Sequence, residues 1–380
     1  MQSTKKTVFT AIALAASMAS GLALADVTIG VILPLTGPAS GLGIPMANEI
    51  KLWPQTIAGE KLNIIVLDDA SDPTNGVKNA RRMVSEDKVD LLIGSAATPV
   101  GIAVAGVAFE SETPQLVASP TPLQPGKDFW SFRLPQSTAV MSYAVVEHMK
   151  KQGVKTVGFL GYTDSYGESW LKEFTAVAEK AGIKVIASER FARTDTGATA
   201  QALKLVSTQP DAILIAASGS GAAMPQKAVV ERGYKGKIYQ THAAATRDLM
   251  RVGGKDIDGA YVVSGPVIAP EQLPDSNPSK KLALDYVQKY EKTYGPGSRN
   301  QFAAHSYDAE LILEKIIPMA LKKAKPGTKE FRAALRDALE TMGPTPLSQG
   351  VMNWTKDDHW GYTNDTGVIV KVVKGDWKVE

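Results

Sequence analysis

Within this chain of 380 residues, chemistry could come from a few short acidic, glycine-rich or hydroxyl-bearing stretches and from four histidines. Asp68, Asp69 and Asp72 stand close enough to chelate a cation or share a proton as an acid/base pair. They follow an apolar run and precede a helical segment from residue 75, so capping and placement at the positive end of a helix dipole explain them more simply. Gly219-Ser220-Gly221 also follows an apolar run, but Met224 stands where a dinucleotide fingerprint needs its third glycine. No acidic residue ends the next run, Lys237–Gln240, to bond a ribose. A glycine-rich loop bringing backbone close to a small ligand fits better, with Gly219 at the contact. The segment Gly37-Pro38-Ala39-Ser40-Gly41-Leu42-Gly43 lacks the Gly-Lys-Ser/Thr that holds phosphate and magnesium. It is either a plain strand-to-helix turn or a loop that sets Ser40, Leu42 and backbone N–H groups against a ligand. Gly94-Ser95-Ala96-Ala97-Thr98 comes directly before a helix, where free N–H donors and the positive helix end suit a carboxylate. Capping by Thr98 or Ser95 accounts for the same residues equally well.

The histidines divide by setting. His148 lies on a helix and is expected at the surface, His359 sits in a polar tail, and His305 belongs to a long helix as a structural residue. His242 is different, because it follows the run Lys237–Gln240 and would be delivered to wherever a ligand sits. Gly-x-Ser-x-Gly, His-Glu-x-x-His and Ser-x-x-Lys signatures are missing. With no cysteine in the sequence, thiolate chemistry and disulfides are excluded. No catalytic residue, metal or cofactor is assigned.

Positioning such loops requires alternating elements. Apolar runs at Val27–Leu33, 63–67, 91–93 and 115–118 alternate with helical segments at 75–86 and 100–110. That order implies a parallel sheet covered on both faces. The series restarts at 156–160, 184–188, Ala212–Ala216, Lys237–Gln240 and 260–263, with helices at 168–181, 198–207 and 222–232 between. Two similar α/β lobes follow. Helices at Lys280–Tyr294, 303–320 and 329–340 complete the first, and strands near 351–354 and Val368–Val373 return to the second or to the hinge. The first lobe is expected to hold 26–143 with 271–347, and the second 144–270 with 348–380. Crossings fall near 135–145, 264–270 and 346–351, where Pro, Gly and Ser punctuate the pattern. Ligands of open parallel sheets bind beyond the carboxyl ends of the strands, so two facing lobes make a cleft that a hinge can close.

Lys5 and Lys6, an apolar stretch over 8–18 and Ala23-Leu24-Ala25 before Asp26 make residues 1–25 a secretory signal peptide. The stretch is shorter than the ~20 residues a bilayer core needs. An exported, monomeric protein is expected. Apolar residues make up 44% and charged residues 21%, with a net charge of +3. The positive charges are dispersed, which argues against a nucleic-acid partner.

Taken together, Ile29-Gly30-Val31 with Gly37, Asp68-Asp69-Ala70-Ser71-Asp72-Pro73, residues 89–94, Tyr166-Gly167 and Ala303-Ala304-His305-Ser306-Tyr307-Asp308-Ala309 resemble periplasmic solute-binding proteins of ABC transporters, in the branched-chain amino-acid binding family of type I fold. The resemblance implies an α/β fold of two Rossmann-like lobes with a three-crossing hinge, a periplasmic location, a small-molecule ligand and permease subunits as partners. It implies a ligand carboxylate held at Ala97 and Thr98 and at Ser119, Pro120 and Thr121, with Tyr166 facing the cleft. The amino-acid binders place an acidic residue where this chain has Thr241-His242-Ala243-Ala244, and a tyrosine where it has Ser218-Gly219-Ser220. A buried ammonium without a partner would cost several kcal/mol. The expected ligand is therefore an aromatic carboxylate of the hydroxycinnamate or benzoate type, p-coumarate-like, with His242 toward the ring hydroxyl. A branched-chain amino acid is the alternative ligand. An exported two-domain enzyme and a receptor's sensor domain are the alternatives of other classes.

Overall fold

The computed structural model describes residues 26–380, so the expected signal peptide at 1–25 lies outside the described residues. The chain begins with β1 (Val27–Leu33), α1 (Ser40–Ile50), β2 (Thr56–Ile57), β3 (Glu60–Asp68), α2 (Pro73–Ser85), β4 (Leu91–Gly94), α3 (Thr98–Ser111), β5 (Gln115–Val117) and β6 (Ser131–Arg133). These strands form one sheet in the order β2-β3-β1-β4-β5-β6, parallel except for β2. The near-continuous apolar runs in β1 and β4 are what a strand covered on both faces requires. At α2, Asp72 accepts the Asn75 N–H at 3.0 Å and Pro73 opens the helix, so of the three aspartates only Asp72 caps. Asp68 instead binds the loop after β1, accepting the Leu35 N–H at 2.8 Å and the Thr36 hydroxyl at 2.6 Å.

The second series is α4 (Thr138–Lys151), β7 (Thr156–Tyr162), α5 (Ser165–Lys180), β8 (Lys184–Phe191), α6 (Thr199–Ser207), β9 (Ala212–Ala216), α7 (Gly219–Glu231), β10 (Lys237–Gln240), α8 (Arg247–Gly253) and β11 (Tyr261–Ser264). It is followed by α9 (Lys280–Tyr294), α10 (Gln301–Leu321), α11 (Lys329–Thr341), the hairpin β12 (Thr345–Leu347) with β13 (Gly350–Met352), then β14 (Val368–Val373) and β15 (Asp376–Val379). The second sheet runs β15-β14-β11-β10-β9-β7-β8, with β14 and β15 antiparallel. Helices α9 to α11 return to the first sheet's side, where α10 packs on α1 and α11. The architecture is the expected mixed α/β one, parallel sheets flanked by helices.

The junctions differ from expectation in two places. A division at 143/144 would cut α4, which Ser137 caps through the Val140 N–H at 3.1 Å and which packs on α5, β11 and β14. The first crossing therefore precedes this helix. The third crossing, expected at 346–351, comes later, because residues 354–359 remain on the first sheet. His359 stacks on Phe132 at 3.9 Å, Trp354 meets the same ring at 5.4 Å, and the Arg133 N–H donates to the His359 carbonyl at 3.0 Å. Burying two aromatic rings against β6 holds this segment until the chain passes to α4 near Gly367, whose Cα faces the Ala144 methyl. His359 is thus a buried residue, not part of a polar tail.

His148 is likewise buried, not on the surface: its Nδ1 lies 2.9 Å from the Tyr239 hydroxyl and its ring 4.6 Å from Tyr261. Burial lowers its pKa. Among the described residues no helix is long and apolar enough to cross a membrane.

Candidate functional site

The two sheets face each other across a closed seam, with α3 packed on α5 and α1 on α7. A methyl group at Gly41, on α1, would lie 3.3 Å from the Asp248 carboxylate on α8.

On the first side, β4 ends at Gly94 with φ +111°, and a Cβ there would sit 1.9 Å from the Ile32 carbonyl. Only glycine lets the chain turn so close to β1. The loop beyond is set by Asp69, which accepts the Ser95 hydroxyl at 2.7 Å and the Ser71 N–H at 2.8 Å. Burial pushes the Asp69 carboxyl up to about 6. Helix α3 then starts at Thr98 with Ala97 as its cap residue and no side-chain cap, so the expected capping by Thr98 or Ser95 is not formed. Uncapped N–H groups and the buried Thr98 hydroxyl meet at this helix end, a favourable place for an anion.

Ser119 and Thr121 are engaged differently from the expectation. The Ser119 hydroxyl donates to the Ser95 carbonyl at 2.9 Å and lies 3.0 Å from the Thr121 hydroxyl. A methyl at Gly101 would meet both oxygens at 2.7 Å. These hydroxyls, with the buried Pro120 between them, therefore brace the first turn of α3 from beneath. Ser40 opens α1, again without a side-chain cap, and the buried Leu42 lies on its first turn, facing the core.

On the second side, Asp164 caps α5 through the Tyr166 and Gly167 N–H groups and pairs with Arg193 at 2.7 Å. Tyr166 donates its hydroxyl to Thr241 Oγ1 at 2.8 Å. Burial raises the Tyr166 pKa, and with its hydroxyl committed the residue offers its ring to a neighbour. That neighbour is His242, 5.9 Å from the Tyr166 ring and 5.7 Å from the Trp170 ring. His242 is buried, its pKa is held down to about 3 by burial, and its Nδ1 has no partner. Gly219 opens α7 at φ +50° beside Ser218, whose hydroxyl accepts from Arg193 Nη1 at 2.8 Å. The structure brings Tyr166 and His242 into one buried cluster and sets Gly219 at the neighbouring end of α7.

Three glutamines tie the first two crossings to the β12–β13 hairpin. Gln136 Nε2 donates to the Gln349 carbonyl at 2.7 Å, and Gln349 Nε2 donates to the Gln301 carbonyl at 3.1 Å. Gln301 Oε1 accepts the Ser264 hydroxyl at 2.6 Å, while its Nε2 donates to the His242 carbonyl at 3.3 Å. Sequence reasoning missed these glutamines, along with Trp170 and Arg193. Trp170 stands one helical turn after Tyr166 on α5, a spacing that could have flagged it. The glutamines carry no local signal. A surface cavity of about 860 Å³ lies elsewhere, on the outer side of α3 between Phe109 and Phe129, and only one side of the seam contributes to it.

The periplasmic binding protein family matches residues 26–376. The chain belongs to that family. An extracellular ligand-binding receptor from Rhodopseudomonas palustris HaA2 is 46% identical and superposes with a TM-score of 0.92 over 94% of this chain and 100% of that one. Leu/Ile/Val-binding protein homolog 3 of Brucella melitensis biotype 1 is 23% identical over 354 residues, 88% of each chain. An ABC transporter solute-binding protein from R. palustris in complex with benzoate shares the fold, at 17% identity and a TM-score of 0.76, over 93% of this chain and 95% of that one. This periplasmic binding protein is thus of the ABC-transporter type and related to branched-chain amino-acid binders. Its family and fold are those of solute-binding proteins, not enzymes. Membership implies a small-molecule ligand, permease subunits as partners and the periplasm as location.

Proposed function

We propose that this binding protein captures an amine-free aromatic carboxylate between its lobes and delivers it unaltered to its permease. The observation that carries the reading is the second-lobe wall. Tyr166, Trp170 and His242 form an aromatic, uncharged surface there, and the carboxylate beside them, Asp164, is already paired with Arg193. An ammonium buried against that wall would lack a counter-charge, which costs several kcal/mol. The ligand carboxylate belongs at the uncapped end of α3 with Thr98, and its ring lies toward Tyr166, Trp170 and His242. The benzoate complex supports this only in showing that the fold has room for an aromatic carboxylate. A hydroxycinnamate or benzoate is the ligand class.

A second reading, an aliphatic amino acid, is favoured by the Leu/Ile/Val-binding relatives. Thermal unfolding of the protein with hydroxycinnamates, benzoates and branched-chain amino acids separates the two. A ligand at 100 times its Kd adds about 2.7 kcal/mol of stability. Aromatic acids are expected to raise the Tm and leucine to leave it unmoved. The reverse pattern refutes the proposal.

A further inference from the structure

Two imidazole nitrogens lack partners where the seam meets the hinge. His242 Nδ1 and His305 Nε2 are both buried there and unbonded. Native interiors leave few such atoms unpaired, and each is unfavourable unless something else bonds it. The two imidazoles come from opposite sides, His242 from the turn after β10 and His305 from the first turns of α10, and His242 lies near enough to His305 to add to the lowering of its pKa that burial causes. Gln301, four residues before His305, reaches the His242 carbonyl.

The tautomer of His305 follows from Gln349. Its side-chain nitrogen must face the Gln301 carbonyl, which can only accept, and the same nitrogen lies 3.5 Å from His305 Nδ1. His305 Nδ1 is therefore the acceptor, and Nε2 carries the hydrogen, with no protein acceptor bonded to it. His242 Nδ1 remains available to accept. Burial keeps both rings neutral, each with its pKa near 3.

We infer that His305 and His242 together form a hydroxyl-recognition site bridging the two lobes. A phenolic hydroxyl on the ligand ring accepts from His305 Nε2–H and donates to His242 Nδ1. This rests on the aromatic-carboxylate reading and narrows it to acids carrying a neutral ring hydroxyl. A methoxy group can accept but not donate, and an unsubstituted ring does neither. Because the imidazoles belong to opposite sides, the hydroxyl links them only when the lobes are closed.

The test is calorimetric titration of wild type, His242→Phe, His305→Phe and His305→Gln with cinnamate, 4-methoxycinnamate and 4-hydroxycinnamate. Wild type is expected to bind the hydroxylated acid at least about tenfold more tightly than the other two, the scale of one satisfied buried hydrogen bond. Either Phe variant is expected to bring the three acids within about threefold while still binding cinnamate. His305→Gln, which retains a donor, keeps part of the preference. Equal binding of the three acids by wild type, or an unchanged preference in His305→Phe, overturns the two-histidine site and leaves the aromatic reading standing. If wild type binds none of the three acids but does bind leucine, both fall. Should a Phe variant fail to fold, the wild-type series and His305→Gln decide: a wild-type preference that His305→Gln reduces without abolishing upholds the site, and equal wild-type binding or an undiminished preference in His305→Gln overturns it.

Discussion

Replacing Asp69 by Asn changes one buried charge beneath the uncapped N-terminal end of α3 and leaves its shape nearly intact. Burial holds the wild-type carboxyl at about 6 against an ordinary 3.8. The folded chain therefore keeps this proton over a range in which the unfolded chain has released it. Stability must fall as pH rises from 3.8 toward 6 and stay level above that. At about 1.36 kcal/mol per pH unit, the loss amounts to roughly 3 kcal/mol. An asparagine escapes it. Its oxygen can keep the Ser71 N–H, but its amide nitrogen cannot accept the Ser95 hydroxyl, a loss of about 1 kcal/mol. The variant should be less stable than wild type by about 1 kcal/mol near pH 4 and more stable by about 2 kcal/mol at pH 8. Urea unfolding of both proteins at intervals between pH 4 and 8 measures this directly. The other raised carboxyls, Glu49, Asp90, Asp308 and Glu310, are common to both chains and cancel in the difference. A difference that is flat across the range, or that moves in wild type's favour as pH rises, refutes the reasoning.

Thr98→Val should weaken a carboxylate ligand about tenfold by titration calorimetry, with the Tm of the free protein nearly unchanged, since the hydroxyl braces no neighbour. Gly265→Ala puts a Cβ 1.9 Å from Gln349 Oε1, displacing the amide that bonds Gln301. Its ligand affinity should drop about tenfold, and small-angle scattering should show a larger radius of gyration with ligand absent. Trp170 is fully buried, so Trp170→Ala, unlike Thr98→Val, should lower unfolding stability by about 3–5 kcal/mol, and it should weaken cinnamate and unsubstituted benzoate alike.

The parts of the fold that could be read from sequence were those whose burial is local. β1, β9, β10 and α9 begin and end where the apolar runs and their punctuation do. Helix α1 was hidden by Pro45 in its interior, and α4, expected around His148, was left without bounds because Pro135 stands just ahead of it and its side chains are buried on several faces. His148 and His359 were misplaced for the opposite reason. Their cover, Tyr239 for one and Phe132 for the other, comes from distant parts of the chain. In the candidate site, Thr98 and His242 could be anticipated because each follows the carboxyl end of a strand, whereas Tyr166 was pointed out only by the resemblance in its Tyr-Gly pattern. What Ser119 and Thr121 bond to depends on the path of α3 above them, which no local pattern encodes.

The glutamine ties at the crossings contain no ion pair, and the two imidazoles beside them stay uncharged. Dissolved ions weaken attraction between formal charges and leave amide-to-carbonyl bonds almost untouched. A receptor fastened in this way should shut over its cargo about equally well in brackish and fresh surroundings. Such constancy suits a protein lodged outside the cytoplasm, where the cell regulates salinity least.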